Sequence, residues 1–282
     1  MAVSHFIPEV WSAQLLSSLK KSLIFAGPAI ANRNYEGDIA NFGDTVRITS
    51  ISRPTIATYT KDVALSAPET LTDASRTLVI DQSKAFNFEV DDIDLRQSRD
   101  GGALMDEAAA EAAYALADTA DQYVAGLYTA ADAGNAITTT QVNDAAKAIK
   151  GLTDLMVKLD NKNVPRQGRY VVVPPWYHAL LLASDLFVRV DASGTSEGLR
   201  EGMVGRAFGF DIYVSNNCVN VTGDDWIVQA GVPSAITFAE QINKVEAYRP
   251  EGAFSDALKG LHLYGAKVVR PEALATLTAS IT

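Results

Sequence analysis

The sequence predicts an α+β protein, on three observations. Gly101–Tyr128 reads GGALMDEAAAEAAYALADTADQYVAGLY, with no proline and no interior glycine before Gly126. Such an alanine- and leucine-rich run is the composition of a long helix. Stretches rich in β-branched and aromatic residues stand before and after it, at residues 45–90 and 210–270. Between these, residues 141–184 carry a helix pattern, a short apolar run and a second helix pattern.

Residues 1–44 read as an arm rather than a compact unit. Val10 to Ile24 has the spacing of one amphipathic helix, and AIANRNYEGDIANFGD after Pro28 is polar and without period. Phe6, Trp11, Phe25, Tyr35 and Phe42 are too apolar to leave in water at roughly 25 cal/mol per Å². They must lie on another surface, of this chain or of a neighbour.

Residues 45–90 read as a long β excursion. Thr45–Ile51 and Thr55–Tyr59 form the outgoing side, Thr77–Asp81 and Ala85–Val90 the returning side, and KDVALSAPETLT from Lys61 the tip. Phe86, Phe88 and Val90 share one face. A two-stranded ribbon is marginal alone in water, so this one calls for a docking partner, expected to be another copy of the chain. The acidic run Asp91, Asp92 and Asp94 lacks the glycine and spaced glutamate of a calcium loop. It reads as a solvated turn paired with Arg96 and Arg99.

In the long helix, Met105, Ala109, Ala112, Leu116, Ala120, Tyr123 and Leu127 recur at steps of three or four and form the buried stripe. At 1.5 Å per residue the helix is about 40 Å long. Glu107, Glu111, Asp118 and Asp121, with Tyr114 among them, are assigned to the opposite face. Thr140 is the expected N-cap of a second helix, Gln141–Asp160. Arg169–Val173 (RYVVV) reads as a fully buried strand, and Pro174–Pro175 opens a helix over Trp176–Ser184. Residues 185–209 read as irregular. Phe210–Ser215, Trp226–Ala230, Ala235–Ala239 and Lys244–Tyr248 are expected strands, separated by turns at Asn216–Asn217 and Gly223–Asp224. Leu261–Arg270 is the expected final strand, closed by Pro271.

The chain has 282 residues, 48% hydrophobic and 21% charged, enough for a sizeable core. Its formal net charge of −10 argues against an exposed nucleic-acid-binding surface, which is normally basic. Cys218 is the only cysteine, so no intrachain disulfide forms, as expected of a chain folded in a reducing cytoplasm. No apolar run approaches the ~18 residues of a membrane span. The three histidines, His5, His178 and His262, have no ligand spacing, and no phosphate-cradling glycine loop is present. Asp224–Asp225 is an adjacent acidic pair in a turn, where carboxylates usually only meet solvent. No catalytic, cofactor-binding or metal-ligating residue is assigned.

The order of parts, with the stretches HFIPEVWSAQLLSSLKKSLIF, FGDTVRI, YVVVPPWYHALLLAS, GRAFGFDIYVSNN and LYGAKVVRPEALATL, resembles the major capsid proteins of tailed bacteriophages, whose architecture is called the Hong Kong 97 fold. The resemblance covers essentially the whole chain. It implies an N-terminal arm at 1–44, an extended E-loop at 45–90, and a peripheral domain with its spine helix at 91–135. It further implies an axial domain at 136–240 and a return to the peripheral domain at 241–282. The implied function is structural, not enzymatic: many copies assemble as hexamers and pentamers into an icosahedral virion shell around double-stranded DNA. Implied partners are a separate scaffolding protein, a portal and a decoration protein, with assembly in the bacterial host cytoplasm and no membrane. On this reading Phe6, Trp11, Arg47, Arg53, Tyr59, Lys61, Glu111 and Asp118 are candidate subunit contacts. The acidic helix face either lines the shell's inner surface or meets Arg47 and Arg53 of a neighbour's excursion. Lys61 stands where some members cross-link to a neighbour's asparagine, but no matching asparagine or glutamate is identified, and an ordinary surface lysine is expected. The competing readings are a bacterial nanocompartment shell and a soluble α/β enzyme using Asp224 and Asp225.

Overall fold

The computed structural model describes residues 24–34, 45–51, 54–56, 58, 61, 69–70, 73–92, 101–183, 203–252 and 254–281. Along these run β1 (Thr45–Ile51), β2 (Asp73–Val79), β3 (Gln82–Asp91), α1 (Gly101–Ala125), β4 (Ala136–Gln141), α2 (Ala145–Asn161), β5 (Arg169–Val173) and α3 (Pro175–Leu182). β6 (Met203–Ala207), β7 (Phe210–Val214), β8 (Asn220–Thr222), β9 (Asp225–Gly231), β10 (Ile236–Tyr248), β11 (Ser255–Val268) and β12 (Leu274–Ser280) follow.

The strands make three sheets. β1 and β2 pair antiparallel, from Thr45 opposite Val79 to Ile51 opposite Asp73, as a two-stranded ribbon. The second sheet has the order β10-β11-β3 and is antiparallel throughout. The third and largest is mixed, in the order β4-β12-β9-β5-β7-β6, with β8 paired to β9. Its parallel pairs are β4 with β12 and β5 with β7.

Local chemistry explains these elements. Asp144 caps α2, its carboxylate accepting the Lys147 N–H at 2.7 Å. Phe208 and Gly209, both at positive φ, make the two-residue turn between β6 and β7 that suits a tight hairpin. All five residues of β5 are buried, as a strand covered on both faces requires. Arg169 is among them because its guanidinium donates to Asp160 (2.7 Å) and to the carbonyls of Val164 and Pro165 (2.6 and 2.9 Å). α2 comes close to the large sheet at Gly151, where a Cβ would meet the Tyr177 hydroxyl at 2.6 Å and Leu277 at 2.8 Å. The Tyr177 hydroxyl donates to the Ala148 carbonyl at 2.7 Å, joining α3 to α2.

α1 lies against both larger sheets. Tyr123 meets Tyr264 of β11 edge to face at 5.5 Å. Gln229 of β9 donates from Nε2 to the Ala125 carbonyl at the helix end, at 2.5 Å. One continuous core joins α1, residues 25–31 and both larger sheets.

Several boundaries differ from those the sequence predicts. The long helix closes at Ala125, and Gly126–Ala130 tightens into a 3₁₀ turn. Thr140 caps nothing; it lies in β4, and its hydroxyl bonds the Thr138 carbonyl. Residues 54–56 and 58 are not strand. Ala235–Ala239 and Lys244–Tyr248 are not separate strands, since β10 runs through both with a bulge between Ile242 and Lys244. β11 begins at Ser255, ahead of the expected start at Leu261. Pro271 does not end the fold: a 3₁₀ turn leads into β12, which lies between β4 and β9. Residues 241–282 therefore divide. β11 and the second half of β10 lie in the three-stranded sheet, and β12 lies in the large one.

Candidate assembly surfaces

The arm root, residues 24–34, is a compact turn with Phe25, Ala26, Ile30 and Ala31 buried. Phe25 thus finds its surface within its own chain. The root is held by one carboxylate. Asp121 Oδ1 accepts the backbone N–H groups of Ile24, Phe25 and Ala26 at 2.9, 2.6 and 3.3 Å. Its Oδ2 accepts from Asn217 Nδ2 at 3.0 Å, and the same nitrogen donates to Asp118 Oδ1 at 2.8 Å. Asp121 is only 2% exposed, which corrects its assignment to the solvated acidic face. Burial raises its pKa, opposed by the four donors around it.

On its other side the root is tied to β10. The Asn32 N–H donates to the Ile236 carbonyl at 2.8 Å, and the Phe238 N–H donates to the Asn32 carbonyl at 3.0 Å. Arg33 donates from Nε to the Ala26 carbonyl (2.9 Å) and from Nη2 to Glu240 (2.8 Å), its guanidinium lying over the Phe238 ring. His262 is fully buried, with Nε2 3.3 Å from the other Glu240 oxygen. Burial works to raise the Glu240 pKa, but the His262 imidazole beside it and the Arg33 charge outweigh it, and the net shift is downward.

The ribbon has an equally defined root. Leu78 and Ile80 are buried against Ala239 and Leu263. The strand crosses β11 at Gly265, where a Cβ would collide with the Val79 carbonyl and lie 3.0 Å from Ile80 Cα. Farther out, Glu69 accepts from the Thr55 N–H at 2.9 Å and its hydroxyl at 3.3 Å. Ile56 is 92% exposed.

The predicted contact residues are not brought into one place. Glu111 is exposed on α1 beside Tyr114, which is 58% exposed. Asp118 is half-buried and engaged by Asn217 and Gln122 (2.8 and 2.7 Å). Lys61 is an exposed turn residue, and the Arg47 backbone lies in β1 opposite Thr77. Phe6, Trp11, Arg53 and Tyr59 lie outside the described residues, as do Arg96 and Arg99. Asp92 pairs with Arg249.

Sequence reading missed Arg33, Glu240, His262 and Asn217. It misplaced Asp121, although a signal was available: Asp121 is four residues after Ala117 and three before Val124, inside the buried alanine sector. Cys218 is buried, and desolvation with the nearby Asp121 charge pushes its thiol up to about 12. Burial pushes the His178 imidazole down. Among the described residues no cluster of His, Cys, Asp or Glu could hold a metal ion, and no helix is long and apolar enough to cross a membrane.

Residues 73–277 match the family model described as phage capsid protein. A solved structure from Mycobacterium phage Che8 is 35% identical, with TM-score 0.74, over 98% of each chain. The capsid of Ralstonia phage GP4 matches with TM-score 0.70 at 11% identity, covering 93% of this chain and 90% of that one. The capsid of cyanophage P-SCSP1u matches with TM-score 0.66 at 18% identity, over the same shares. A comparison with curated proteins found no match. With the fold, most of the sequence and a full-length relative in agreement, the chain belongs to the phage capsid protein family and is a structural, non-enzymatic subunit of the virion shell.

Proposed function

We propose that copies of this chain associate as hexamers and pentamers to build an icosahedral head around double-stranded DNA, each copy reaching onto its neighbours with two extensions. Residues 1–44 act as the arm and 45–90 as the extended loop. Residues 101–131 form the spine of the peripheral part begun at 91. Residues 136–235, joined by β12, form the axial part, and 236–268 return to the peripheral sheet. The observation that carries this reading is the β1–β2 ribbon. Among the described residues it pairs with no third strand, Leu78 and Ile80 are buried at its root, and Ile56 beyond them is almost wholly in water. A two-stranded ribbon of this kind needs a surface to lie on, and in a shell the adjacent subunit supplies it.

The acidic balance, −10 overall, suits a wall that confines DNA without gripping it. A separate scaffolding protein, a portal and a decoration protein complete the proposed set of partners, with assembly in the host cytoplasm. The test is expression with the scaffolding partner. Large closed particles in electron micrographs are the expected result, and a chain that stays a compact monomer would overturn the reading.

A further inference from the structure

Asp121 stands where three parts of the chain meet: the arm root, α1, and the turn at Asn216–Cys218 that leads out of β7 in the large sheet. One carboxylate oxygen takes its donors from the arm root, namely the N–H groups of Ile24, Phe25 and Ala26. The other takes its donor from Asn217, whose side chain also reaches Asp118. The turn holds itself in shape through the Asn217 N–H, which donates to Ser215 Oγ at 3.1 Å. At 2% exposure the carboxylate has little water to replace a lost partner. Withdrawing either set of donors leaves a buried charge short of hydrogen bonds, which is the costly state for such a group.

We infer that Asp121 is a coupling pivot: the seating of the arm root and the seating of the Asn216–Cys218 turn reinforce each other through its two oxygens. Linkage makes the effect reciprocal. Loosening the turn loosens the arm root, and loosening the root loosens the turn, although each lies 96 residues from Asp121, on opposite sides of it in the chain. In a shell, capture of the arm by a second copy would then be felt in the large sheet. That consequence rests on the arm reading above; the coupling itself does not.

The experiment uses the unassembled full-length subunit and two readouts. Hydrogen exchange of the amides at 24–26 reports the root. The rate at which a maleimide labels Cys218, the only cysteine, reports the turn. Asn217→Ala is expected to speed exchange at 24–26 by about tenfold, within the usual range of coupling between sites, while α2 exchanges as before. Phe25→Ala is expected to speed Cys218 labelling by about the same factor. In an Asp121→Asn background Phe25→Ala should no longer change the labelling rate. Unchanged exchange at 24–26 in Asn217→Ala, or an equal Phe25→Ala effect with and without Asp121, overturns the pivot. Should Asp121→Asn fail to fold, the Asn217→Ala, Phe25→Ala double-mutant cycle decides: strict additivity refutes the coupling, and a shared effect supports it. Neither readout depends on particle formation, so a failed assembly test leaves this result standing.

Discussion

At the scale of single residues, the two extensions depend on a few positions chosen for space and charge. Gly265 has no room for a side chain, because the ribbon's own backbone at Val79 and Ile80 occupies the place of a Cβ. Backbone cannot swing aside as a flexible side chain can. Gly265→Ala is therefore expected to destabilise the subunit by about 2–3 kcal/mol, as overpacking does, read as a lower denaturant midpoint. Glu240 carries the pH dependence. Its folded pKa lies below the ordinary 4.5, so its contribution is present above the ordinary carboxylate range and is lost as pH falls through the folded value. Asp121, with a raised pKa, has the opposite sign: the folded state takes up its proton earlier on acidification than the unfolded chain. Glu240→Gln should melt below the wild type at neutral pH, and the gap should narrow below about pH 4. A gap that is constant across that range would contradict the assignment.

At the scale of elements, the arm divides at its root. Phe25, Ala26, Ile30 and Ala31 belong to the core. Deleting residues 1–23 is expected to leave a folded subunit with a nearly unchanged melting temperature but poor assembly. Deleting residues 1–34 removes Phe25 and Ile30 from the core and should lower stability itself. Normal shells from the shorter deletion would refute the arm's role. The acidic face of α1 needs similar care. Asp118 is committed to Asn217, so reversing its charge disturbs the arm root's neighbourhood as well as any outside contact. Glu111, exposed beside Tyr114, is the clean probe. Glu111→Lys should impair assembly without moving the melting temperature if this face meets a neighbour's basic excursion, and assembly counts unchanged by electron microscopy would remove that contact.

At the scale of the whole molecule, the two larger sheets do not stand apart. α1 is wedged between them, through Tyr123 and Tyr264 on one side and Gln229 on the other, and one core runs through all three. The unassembled subunit is therefore expected to unfold in a single calorimetric transition, with equal calorimetric and van't Hoff enthalpies. Two resolved transitions would show that the sheets fold separately. The thinness of the alanine stripe on α1 suits this arrangement, since small side chains let a sheet and the arm root come close to one helix.

What the sequence determined by itself was local and periodic. The long helix, the buried strand RYVVV, the proline-opened helix and the ribbon's first strand follow from spacing within a few residues, where side chains choose their face before any distant partner is known. The family, too, was legible from the order of these parts. Tertiary structure alone decided the partners of Asp121, the joining of two predicted strands into β10, and the place of β12 inside the large sheet. Each depends on partners far along the chain. An aspartate on an alanine helix reads as solvated until three amides some 95 residues upstream point at it. A C-terminal LATLTAS run has no face to declare until β4 and β9 close on both of its edges.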